Sequence, residues 1–137
     1  MQSDDRYSVW KPSPRAARAL VFAGGNRHFG GHLLVEISRE GACSVLVSSA
    51  THHGRWVGSI PSRLAARLVR DAIALLDAGL QPPPTGIHDA HPVLLGIHER
   101  GRQVRRAIAD RRDPRLRPFL VLLRSLAAKV QAEGKSA

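Results

Sequence analysis

A chain of 137 residues with 43% apolar residues is long enough to bury one core without staples, which excludes wholesale disorder. Its single cysteine, Cys43, excludes an intramolecular disulfide and any multi-cysteine metal site. The net charge of +10 favours acidic partners, although 18 of the basic residues are arginine, which a GC-rich bacterial genome also produces without functional cause.

Aromatics make up only 4% of the chain, so its core must be built from Leu, Val, Ile and Ala. No stretch is apolar for long enough to span a bilayer, and the opening MQSDDRYSVWKPSPRAARAL carries charge and proline where a leader needs an apolar run. The expected setting is therefore cytoplasmic, with no membrane partner.

Residues 1–16 read as an extended arm, because Pro12 and Pro14 exclude regular structure, with Tyr7 and Trp10 as its aromatics. Residues 17–132 read as a single α+β domain and residues 133–137 as a frayed end. Within the domain, Arg18–Ala23 is apolar on both faces, the mark of a central strand covered on both sides. His32–Ser38 alternates, sending Leu33, Val35 and Ile37 one way and His32, Leu34, Glu36 and Ser38 the other. Arg39, Glu40 and Gly41 form a hairpin turn, after which Cys43, Val45 and Val47 point inward from a third strand. Arg55–Ser59, containing Trp56, supplies a short fourth strand.

Ser62–Gly79 is the amphipathic centre of the pattern. Leu64, Leu68, Ala72, Leu75 and Leu76 recur at helical spacing, and Val69 and Ile73 widen that stripe. Pro61 and Ser62 suit its start, and Gly79 followed by Pro82, Pro83 and Pro84 suits its end. Pro92–His98 predicts a fifth strand. Arg102–Ala109 fits either a strand or a helix. As a strand it places Arg106 on the face of Val104 and Ile108, which is awkward unless that Arg reaches an edge or a bulge intervenes; ERGR, which resembles a hairpin turn, favours the strand. Asp113 and Pro114 suit an N-cap and first helical residue, and Leu116, Phe119, Leu120, Leu123, Leu126, Ala127 and Val130 make a second apolar stripe. The expectation is an antiparallel sheet of five to six strands in β-β-β-β-α-β-β-α order, covered by two amphipathic helices.

Four features compete for a function. In the loop GGNRHFGG, two glycine pairs bracket Arg27, His28 and Phe29. With His52, His53 and Arg55 on a nearby turn, these form the candidate partner-binding set, Phe29 being the apolar anchor. The alternative is a polyanion site. Eight arginines against two aspartates lie between Arg100 and Arg117, and Arg105, Arg106, Arg111, Arg112, Arg115 and Arg117 carry forks suited to phosphate. No aromatic stands among them to stack a base. The third feature is histidine: His52, His53, His88, Asp89 and His91 offer a metal-ligand set, but without the helical or paired-cysteine spacing that makes such a motif specific. The fourth is catalysis, for which a His52, His88 and Asp89 hydrolase is the best arrangement available. No nucleophile elbow, phosphate loop or carboxylate pair accompanies it.

From Ala19 to Val130 the order of elements is similar to that of emfourin-type metalloprotease inhibitors. A Gly-Gly turn follows the first strand, and a terminal helix begins near a DP dipeptide. The hairpin Ser44–Ser59 departs from that pattern. The resemblance implies a small α+β fold engaged in protein–protein work. The expectation is thus a non-catalytic module without cofactor that binds a partner protein, with a nucleic acid as the alternative partner. Leu34 and Leu46 on otherwise polar strand faces point to a second buried surface, of the kind a homodimer uses.

Overall fold

The structure, a computed structural model, describes residues 18–26, 31–49, 53–84, 92–100 and 102–136. Four strands run as a meander: β1 (Arg18–Asn26), β2 (Gly31–Ser38), β3 (Ala42–Ser48) and β4 (His53–Ser59). Helix α1 (Ser62–Asp77) follows, then β5 (Pro92–Glu99), β6 (Arg102–Asp110), helix α2 (Arg117–Glu133) and β7 (Lys135–Ser136). The sheet is antiparallel with order β6-β5-β1-β2-β3-β4-β7, so β5 returns to the free side of β1 and makes it central.

The sheet has seven strands, not the five to six expected. The extra one comes from Lys135 and Ser136, which leave α2 at Gly134 and pair with Val57 and Trp56 of β4. A two-residue pairing leaves no periodicity in a sequence; it forms because α2 ends beside an open strand edge.

Both helices lie on one face. Leu20, Phe22, Val35, Ile37, Cys43, Val45, Val93, Leu95 and Ile97 meet them in a single cluster. In α1 the fully buried positions are Ala65, Leu68, Val69 and Ala72, whereas Leu64, Leu75 and Leu76 are half-buried. Leu68, Val69 and Ala72 belong to the expected stripe, and small Ala65 is the addition, letting α1 approach the sheet. In α2 the buried residues match the expected stripe throughout.

The start of α2 differs from expectation. Residues 114–116 form turns, and the α-helix begins at Arg117 with Pro118 in its first turn. Asp113 caps the turn instead, its carboxylate accepting from the Arg115 backbone N–H at 2.9 Å. Residues 102–110 are a strand at the edge of the sheet, where Arg106 is exposed although it shares a face with Ile108. The register shifts between Ile97 and His98, which leaves Val104 as the extra, exposed residue, while Ile108 packs on the face away from the helices.

The face away from the helices is also largely buried. Val21, Ala23, Leu34 and Leu94 form a second cluster, with Leu46 and Ile108 against it. Polar side chains share this face. Glu36, which alternation alone assigns to an outer surface, is only 3% exposed, and His32 and His98 are buried as well.

Candidate functional site

Of the candidate partner-binding set, Arg27, His28, Phe29 and His52 lie outside the described residues, as do the metal candidates His88, Asp89 and His91. His53 is exposed at the start of β4. Arg55 is not a projecting tip residue. It lies on the second face, 3.7 Å from the Glu36 carboxylate, opposite Leu46. Among the described residues no three His, Cys, Asp or Glu side chains converge as metal ligands.

The polyanion candidates divide into two groups. Arg105 reaches Asp77 at 2.6 Å, Arg112 reaches Asp110 at 2.9 Å, and Arg115 reaches Asp113 at 2.7 Å. Arg115 also donates to the carbonyls of Ala78 and Gly79 at the end of α1, where a cation meets the negative end of the helix. Hydrogen bonds from Arg112 and Arg115 hold the Asp110 and Asp113 carboxyls below the usual carboxylate range. Being depressed, they keep these pairs ionised at neutral pH and release them only as pH falls through the acidic range. Such exposed pairs add little to stability, because solvent screens them. Their larger consequence is that Arg105, Arg112 and Arg115 already have anions. Arg111 and Arg117 are exposed and form no ion pair among the described residues, and Arg106 is exposed on β6.

Cys43 is buried at 4% exposure on the helix side of β3, and burial pushes its thiol up to about 12. It is therefore expected to resist iodoacetamide in the folded protein at pH 8 and to react at the ordinary thiol rate once urea unfolds the chain. The sign of the pH effect follows. The folded state holds the thiol proton that the unfolded chain loses above pH about 9, so stability falls as pH rises from there towards 12. Native-state alkylation as fast as in urea would contradict the buried position.

The described residues also form a concavity that the sequence reading does not identify. A half-open groove of about 660 Å³ runs between the end of β4, the start of α1 and the outer side of α2. Val57, Ile60, Leu64, Leu122, Leu126 and Val130 supply its apolar lining. Ser59, Ser125, Lys129, Glu133 and Lys135 supply its polar rim. Leu64, Leu126 and Val130 belong to the expected helix stripes, whereas Leu122 is an apolar position outside the α2 stripe.

Strand geometry adds one more feature. The Ile60 N–H donates to the Gly41 carbonyl across β3, and alternation then turns the N–H and C=O of Ser59 to the opposite, outer edge. Val57, two residues earlier, is turned the same way and pairs with Lys135 of β7. The edge of β4 thus receives one strand and then opens into the groove.

Among the described residues no helix is long and apolar enough to cross a membrane. Comparison with protein-family models and with curated proteins returns no match, so the function is argued from these residues alone.

Proposed function

We propose that the protein is a non-catalytic module that binds a partner protein. The observation that carries this reading is the apolar groove beside the β4 edge, whose size lies within the roughly 300–1,000 Å³ typical of ligand sites. Its lining offers aliphatic contact and two lysines but no nucleophile–base pair, which suits recognition better than chemistry. Arg27, His28, Phe29, His52 and His53 are a separate proposed contact, since His53 begins β4 and the groove lies at the other end of that strand. The single cysteine suits a reducing compartment, so the cytoplasm is proposed as the place of action.

The test is affinity purification from the native host with and without nuclease, using wild type and Leu122→Asp, with circular dichroism as the folding control. A partner that survives nuclease and is lost with Leu122→Asp supports the reading; retention only through nucleic acid overturns it. The second reading, polyanion binding, rests on exposed Arg111 and Arg117. It requires affinity for heparin or duplex DNA that falls steeply with salt, each neutralised phosphate contributing about −0.9 to the log–log slope.

A further inference from the structure

From the groove's lining we infer that it takes a short extended segment of the partner, bearing aliphatic side chains and a carboxylate, laid along the outer edge of β4. This rests on the partner-binding reading and names the chemistry that its site selects. Three observations on the groove carry it. Its floor is aliphatic, formed by Ile60, Leu64, Leu122 and Leu126, and it is open along one side, which fits side chains arriving on a backbone. Its polar rim carries Lys129 and Lys135, both exposed, against the single acid Glu133, so the local balance favours an anion. The Ser59 peptide group faces outward, at the point where the chain's own β7 has just paired with the same edge. Past Lys135 the register leads back to Gly134 and Glu133 at the end of α2, so on this edge an incoming segment takes the N–H and C=O of Ser59 at the mouth of the groove.

Other occupants fit less well. A second copy of the chain would bring Lys129 and Lys135 towards like charges on a protein of net charge +10. A single-stranded nucleic acid would find no aromatic in the lining on which to stack a base. A lone lipid chain is better held by an enclosed cavity than by a half-open groove.

The experiment is selection of random short peptides displayed on phage against the purified protein, followed by fluorescence titration of the enriched peptides. Enriched sequences are expected to combine aliphatic residues with aspartate or glutamate. Leu122→Asp should abolish their binding. The charge reversal Lys129→Glu with Lys135→Glu should weaken it at least about fivefold, with the remaining affinity less sensitive to salt. Both lysines are exposed, so the reversal leaves the core untouched, and thermal melting checks that.

An empty selection overturns the inference, as does a basic or purely polar consensus, or enriched peptides that bind both variants as wild type does. The two readings separate cleanly. If the native partner depends on Leu122 while no acidic aliphatic peptide is selected, partner binding stands and the segment chemistry falls. If the native partner ignores Leu122, the groove is not its site.

Discussion

Replacing Gly41 by alanine is expected to lower stability by about 3 kcal/mol, a large part of the roughly 5–15 kcal/mol that holds a domain together. Gly41 closes the β2–β3 hairpin with φ at +103°, a conformation that a side chain resists. Its N–H donates to the Ser38 carbonyl at 3.1 Å, and its own carbonyl accepts from Ile60 at 2.8 Å. The position therefore joins the hairpin to the segment leading into α1. A Cβ here would stand 2.1 Å from the Ile60 carbonyl oxygen, a backbone atom that cannot swing aside as a flexible side chain would. Gly79 is the internal control. Its φ is +83°, but a Cβ there meets nothing within 4 Å, so Gly79→Ala carries only the backbone penalty of about 1 kcal/mol. Urea unfolding of the two variants measures the difference. Equal midpoints would mean that the Gly41–Ile60 contact is not made as described.

Removing the buried part of a helix should cost about as much by a different route. Leu68 in α1 and Leu123 in α2 are each 0% exposed and belong to the same cluster beneath the sheet. Leu68→Ala and Leu123→Ala each remove three buried carbons and leave a cavity that the packed strands cannot fill. The expected loss is about 3 kcal/mol for each. Val121→Ala on the outer side of α2 should change stability by less than about 0.5 kcal/mol, since Val121 is 63% exposed. Chemical denaturation of the three variants decides the matter. A small loss at either leucine would place that helix off the sheet. Val121→Ala, neutral for folding, also reports whether the groove's contact area extends past Leu122.

The candidate sites were far less legible than the fold. A motif such as GGNRHFGG announces itself through unusual residues, whereas the groove is made of ordinary ones: Leu64 and Leu126 read as core until two helices and a strand edge are set around them. Charge runs mislead in the opposite direction. Arg105 and Asp77 are 28 residues apart yet pair at 2.6 Å, and Arg115 reaches back to the carbonyls that end α1. A count along the chain registers a surplus of arginine; it does not register which aspartate or carbonyl each long side chain meets.

Periodicity by itself determined the strands of the meander, the alternation that sends Val35, Ile37, Cys43 and Val45 to the helix side, and the whole buried stripe of α2. It could do so because side-chain direction is set locally, by a period of two or 3.6 residues. Tertiary structure alone decided that Glu36 is buried within the fold, that Val104 bulges out of β6, and that Lys135 and Ser136 extend the sheet. The reason is that a repeat states which way a residue points. What it meets depends on elements brought together from elsewhere in the chain, and the groove beside β4 exists only where three such elements end.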